Sequence, residues 1–181
     1  MVAITSPRPV AVPAVSAPTR LRPADLLHAT DRAADDYLRG RYAHLLPAAG
    51  IPRDERWYAR IHGDDELDIW LISWVPDHRT ELHDHGGSLG ALTLLSGALD
   101  EHRWDGEKLR RRRLVAGDQA AFPLGWVHDV VWAPEPAPAT STSTLSLHAY
   151  SPPLTVMSYY QVTERNTLRR SRTELTDGPE G

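Results

Sequence analysis

His83 and His85 stand one residue apart in the run His83-Asp84-His85-Gly86-Gly87-Ser88-Leu89-Gly90, and a third histidine, His128, closes the run Pro123-Leu124-Gly125-Trp126-Val127-His128. On a β-strand, residues i and i+2 point to the same face, so the pair can aim two imidazoles at one point. A third imidazole from another strand would complete one face of a metal's coordination shell and leave the opposite face open. An open position is what separates a catalytic metal from a structural one. Neutral imidazoles suit zinc, copper, iron and nickel alike, so the donor set predicts a metal site without choosing the ion.

Two further segments carry chemistry. Ser146, His148 and Tyr150 alternate with Leu147 and Ala149. Period-two polarity on a strand puts the three polar groups on one face and the two apolar groups on the other. If that face is interior, its groups require partners, and a chain of Ser hydroxyl, imidazole and Tyr hydroxyl can satisfy itself. Upstream, Trp57-Tyr58-Ala59-Arg60 gives Tyr58 and Arg60 the same strand parity, and both are expected to face the interior together. An interior Arg needs an anionic partner, and its planar fork can grip a carboxylate bidentately. As an ordinary residue, Arg60 would be a surface Arg on an early strand. Asp84, between the two histidines, points away from them on a regular strand and is expected to face solvent rather than orient a ligand. Trp70, Trp74, Trp126 and Trp132 are expected in the core. His102 and Trp104 also alternate, and neither is assigned a role.

The elements that position these residues follow from pattern. Pro23 opens a helical stretch, and Leu26, Ala29, Ala33 and Tyr37 recur near helical spacing out to about residue 46. Short strand signals then dominate, at 56–61, 68–74, 90–95, 98–104, 109–115, 127–133, 144–150 and 155–162. Many short strands after a helical region predict a double-sheet jelly roll, closed or nearly closed as a barrel with the histidines inside. Residues 1–21, rich in Pro, Ala and Val, are expected to be a disordered tail, 22–166 the domain, and 167–181 a flexible, charged C-terminal tail. Pro134 to Thr144 is expected to be an inserted loop. The run Arg110-Arg111-Arg112-Arg113 lies between strand residues and is expected to be a solvated hairpin.

Composition sets further bounds. A chain of 181 residues fits one domain with a hydrophobic core. A net charge of −4 gives no reason to expect nucleic-acid or membrane binding. The chain has no cysteine, which excludes disulfides, thiolate metal sites and cysteine nucleophiles. Prolines interrupt every apolar stretch near the N-terminus, so no signal peptide is read there, and no run is long enough to span a bilayer. A cytoplasmic monomer is expected.

The spacings around the three histidines resemble the two-part signature of the cupin superfamily. In its first part, Gly97 stands where the closing Gly belongs and Gly90 where a Glu ligand is usual; in its second, Gly117, Pro123, Gly125 and His128 match throughout. Loss of the Glu leaves three histidines, a departure typical of thiol dioxygenases. The Trp57–Arg60 and Ser146–Pro153 segments narrow the resemblance to the cysteine dioxygenase family, over about residues 22–164. That resemblance implies a mainly β, cupin-type jelly-roll β-barrel after an N-terminal helical region. It implies one Fe(II) per chain on His83, His85 and His128. It implies Arg60, with Tyr58, at the substrate carboxylate, and a Ser146–His148–Tyr150 relay beside the iron. Substrates would be a small thiol and O2, with L-cysteine giving cysteine sulfinate. Two alternatives stand: a dioxygenase of 3-mercaptopropionate or another small thiol, where Gln is usual in place of Arg60, and a non-catalytic metal-binding cupin that senses a small ligand. Animal members join a cysteine near the iron to the relay tyrosine; here Gly90 holds that position, so no such crosslink can form.

Overall fold

The computed structural model describes residues 19–76, 80–134 and 143–179. Residues 1–18 and 135–142, which hold most of the expected N-terminal tail and inserted loop, lie outside the described residues. Helix α1 (Pro23–Leu38) begins with Pro in its first turn. The Asp25 carboxylate accepts the Arg22 amide at 2.7 Å, satisfying a backbone donor at the helix start. The helix stops short of the expected residue 46 because Gly40 turns into the left-handed region, φ +74°, and its amide closes back on the Tyr37 carbonyl. Only a single 3-10 turn, Ala43–Leu45, follows.

The strands form two antiparallel sheets. One has the order β1 (Tyr58–Gly63), β2 (Asp68–Trp74), β9 (Thr144–Ser151), β4 (Leu89–Ser96), β7 (Gln119–Phe122). The other has β11 (Leu168–Leu175), β10 (Val156–Val162), β3 (His83–Asp84), β8 (His128–Ala133), β5 (Ala98–Trp104), β6 (Leu109–Val115). This is the expected jelly roll, built as two facing sheets rather than one closed barrel. Helix α1 covers the outer face of the first sheet, where Leu26, Ala29 and Ala33 meet Ile69, Leu71, Ala91, Leu147 and Ala149. Its inner face sends Trp70, Ile72, Leu92 and Leu94 against Leu99, Leu114, Val130 and Met157 from the other sheet. Each such side chain, fully buried, stabilises the fold by roughly 1.5–3 kcal/mol.

Strand β9 lies between β2 and β4 and is buried along its whole length. Its apolar residues therefore face the helix and its polar residues face the core between the sheets, as the alternation predicts.

Three strands, β3, β7 and β11, were not among those predicted. The last corrects the expected C-terminal tail, because β11 pairs with β10 along its length, from Val156↔Leu175 to Val162↔Leu168. Its charges are those of an edge strand, where they discourage pairing with other chains; a charged sequence hides such a strand from a hydrophobic pattern. The folded region also starts before residue 22: Thr19 and Ser151 hydroxyls are 2.5 Å apart, and Leu21 packs beneath the helix. The arginine run forms most of β6, with Arg111 and Arg113 both bonded to Asp100. No helix among the described residues is long and apolar enough to cross a membrane.

Candidate metal centre

Strand β3 is two residues long and sits in the middle of its sheet, with His83 directly opposite His128 of β8 and Tyr159 of β10. Beyond it the Gly86-Gly87 turn leaves His85 on the same side as His83. The three rings converge, with centroids 5.0–5.3 Å apart, and one ligand nitrogen from each lies within 4.8 Å of the others. All three side chains are buried.

The surroundings choose the tautomers. His83 Nδ1 is 2.6 Å from the Glu81 carbonyl oxygen, and His128 Nδ1 is 3.1 Å from Glu101 Oε1. A carbonyl or carboxylate oxygen can only accept, so both Nδ1 atoms carry the proton and both Nε2 lone pairs are turned toward the cluster. This is the arrangement a metal-binding histidine requires. The residues present therefore fit a metal ion of the imidazole-binding group.

Glu101, on β5, was not singled out from the sequence, where one acidic residue in a polar strand gives no signal. It is 3% exposed, and its Oε1 accepts from both His128 and Trp126 Nε1, the latter at 3.0 Å. Burial pushes its carboxyl up. The hydrogen bonds from His128 and Trp126 and the nearby positive charge, Arg112 included, outweigh that, so the group lies below its ordinary value. Phe122 was also missed; its ring lies 4.3 Å from that of His128 and 5.8 Å from that of His85. Gly90 makes room for it, since a Cβ there would stand 2.9 Å from Phe122 Cδ2. Gly90 lies directly opposite Tyr150 on β9.

Tyr150 is fully buried, with its ring 5.1 Å from that of His85. Its hydroxyl is 3.2 Å from His148 Nδ1. At the far end, Ser146 Oγ accepts from Trp74 Nε1 at 2.8 Å, and the Trp74 ring lies 5.9 Å from that of His148. The three expected polar residues thus share one inner face, with Tyr150 nearest the histidine cluster.

Tyr58 and Arg60 do share a face, but β1 is the edge of its sheet and leaves both exposed. The Arg60 side chain is 45% exposed, its Nη2 3.9 Å from Asp68 Oδ2 and its guanidinium 5.7 Å from the Trp70 ring centre. Tyr58 packs edge-on against Trp70 at 5.8 Å. The expectation that both are interior is thus corrected: parity selects the face, whereas the edge position decides exposure. The buried guanidinium in this region belongs to Arg56, which lies 4.2 Å over Trp74; its shared parity with Arg60 was the available signal. Asp68, opposite Tyr150 in the sheet, was also missed. Asp84 corrects another expectation. It is buried, and it accepts from the Tyr160 hydroxyl at 2.6 Å and from the Gly86 amide at 2.9 Å, which fixes the turn that carries His85.

Among solved structures, the fold is similar to KdgF from Halomonas sp. (16% identity over 54% of this chain and 80% of that one, TM-score 0.45). It is also similar to a conserved protein with a double-stranded β-helix domain from Klebsiella pneumoniae subsp. pneumoniae MGH 78578 (19%, 56% and 76%, TM-score 0.46). A third is a cupin superfamily protein from Desulfitobacterium hafniense DCB-2 (15%, 59% and 88%, TM-score 0.46). The family model of cysteine dioxygenase type I matches residues 48–163, a span that takes in both histidine segments and all of β9. That match covers more than half of the chain, and this chain belongs to the cysteine dioxygenase type I family.

Proposed function

We propose that the protein is an Fe(II)-dependent dioxygenase that converts L-cysteine and O2 to cysteine sulfinate, acting in the cytoplasm where free thiols are kept reduced. The observation that carries this reading is the buried cluster of His83, His85 and His128 with Tyr150 against His85, in a member of this family. His83, His85 and His128 would hold the iron. When bound, the iron supplies the oxygen chemistry, by which both atoms of O2 end on the substrate sulfur.

The protein's own residues bind, orient and move protons. Three neutral imidazoles would leave the charge of a bound Fe(II) uncompensated, so the loaded site would favour an anionic thiolate over a neutral thiol. A free cysteine thiol has an ordinary pKa of about 8.5 and reaches the site mostly protonated. In this reading the Tyr150 hydroxyl hydrogen-bonds the sulfur and takes its proton while passing its own to His148 Nδ1, 3.2 Å away. Trp74 and Ser146 hold the far end of the relay. Arg60 receives the carboxylate: it is open to solvent, its contact with Asp68 is longer than a hydrogen bond, and Arg60, Trp70 and His148 lie in one row across the sheet. Tyr58 flanks that approach through its contact with Trp70.

Oxygen uptake by the iron-loaded protein tests this. Cysteine should be consumed with one O2 and appear as the sulfinate, while cysteamine, which lacks the carboxylate, and 3-mercaptopropionate, which lacks the amine, should be poorer substrates. Faster turnover of 3-mercaptopropionate would overturn the substrate and leave the dioxygenase. No uptake with any thiol above the iron-free control would overturn the enzyme.

A further inference from the structure

The cross-strand register continues the histidine row into a row of arginines. His83 faces His128, His128 faces Arg103, and Arg103 faces Arg110, all on one face of the second sheet. One step along, Glu101 faces Arg112. The four-arginine run is therefore split by the period of the strand. Arg110 and Arg112 share the face of Glu101 and His128, whereas Arg111 and Arg113 take the other face and bind Asp100.

On the first face lies a cavity of about 230 Å3 lined by Glu101, Arg103, Arg110, Arg112 and Trp126, with Ala120 and Ala121 of β7. Its lining carries three guanidiniums, those of Arg103, Arg110 and Arg112, and one carboxylate, that of Glu101. Glu101 is already bonded to His128 and Trp126, and Asp105 to Arg110. The Arg103 guanidinium carbon lies over Trp126, 4.4 Å from the ring centre. Arg112 donates to the Gln119 carbonyl at 3.0 Å and keeps further donors.

We propose that this cavity is a binding site for a small oxyanion of the phosphate or sulfate type, distinct from the histidine cluster and lying behind His128. Guanidiniums on two strands around one hollow suit a tetrahedral anion that accepts from several directions, and charge-assisted bonds from arginine are the strong kind. Trp126 and the two alanines give an apolar wall for any organic remainder. The site needs neither iron nor a thiol, so its test is independent of the oxidation chemistry.

Titration calorimetry of the full-length chain with inorganic phosphate, at constant ionic strength set by sodium chloride, reads the site directly. Saturable binding of one phosphate per chain is expected. Losing a charge-assisted donor should weaken it about tenfold or more in Arg112→Gln and in Arg103→Gln. Arg111→Gln, on the opposite face of the same strand, should bind as the wild type does. Arg103→Gln leaves the Gln119 contact intact and decides the matter should Arg112→Gln fail to fold. Sulfate is the second arm, and the ratio of the two affinities assigns the site to phosphate-type or sulfate-type ligands. Failure of both ions to saturate, or an equal loss in Arg111→Gln, would show only diffuse attraction to a basic strand and overturn the proposal.

Discussion

Asp68 should lower the stability of the folded protein at neutral pH, and the effect can be sized. The residue is 3% exposed. Its Oδ2 accepts from Trp70 Nε1 at 2.9 Å, while its buried Oδ1 closes no hydrogen bond of ordinary geometry. Burial raises its carboxyl from 3.8 to about 6; the Trp70 bond, the Arg60 charge and the nearby amides of Leu154 and Asp68 itself pull it back only in part. Arg60 does little here because it is half in water, where ion pairs are screened.

Below about pH 4 the group is protonated both folded and unfolded and contributes nothing. As pH rises from about 4 to 6 the unfolded chain releases the proton and the folded chain keeps it, so stability falls. Above pH 6 the loss is complete, about 3 kcal/mol at roughly 1.4 kcal/mol per pH unit of displacement. Asp68→Asn is nearly isosteric, neutral at every pH, and keeps an acceptor for Trp70. Urea unfolding of both proteins from pH 4 to pH 8 gives a difference in which all other groups cancel. The Asn variant should gain on the wild type between pH 4 and 6, by about 1–3 kcal/mol, and then hold that lead. A flat difference would refute the reasoning. A falling one would show that Arg60 wins and that Asp68 stabilises as an ion.

Three further outcomes follow from contacts around the histidine cluster. Glu101→Ala should weaken metal binding about 10–100-fold, measured anaerobically against a competing chelator, because it removes the acceptor that orients His128; unchanged affinity would show that His128 is held by packing alone. Gly90→Ala should destabilise the protein by about 1–3 kcal/mol in thermal or urea unfolding, since its Cβ would press on the Phe122 ring, and Phe122→Leu in the same chain should recover part of the loss. His148→Ala and Tyr150→Phe should both lower oxygen uptake with cysteine while iron content stays at the wild-type level, and wild-type turnover in both would remove the relay from the mechanism.

Much of the centre was legible in the sequence because its signals are local. The pair His83 and His85 needs only the two-residue period of a strand to share a face, and Ser146, His148 and Tyr150 need only the same period to separate from Leu147 and Ala149. The glycine and proline spacing before His128 pointed to the third histidine of the cluster. What the sequence could not hold is anything set by which strand lies next to which. Parity put Tyr58 and Arg60 on the right face, but only the sheet order makes β1 an edge and exposes them. Glu101 and Phe122 reach His128 from β5 and β7, strands whose positions no spacing announces. The same is true of Asp68, which meets Tyr150 through a pairing of residues far apart in the chain. The period of β6 divides the four arginines between two faces, but only the pairing of β5 with β6 brings Arg110 and Arg112 beside Arg103 and Glu101. Periodicity along a strand is encoded by neighbouring residues. The register between strands comes from the packing of the whole core, and it alone decided which groups surround the histidines.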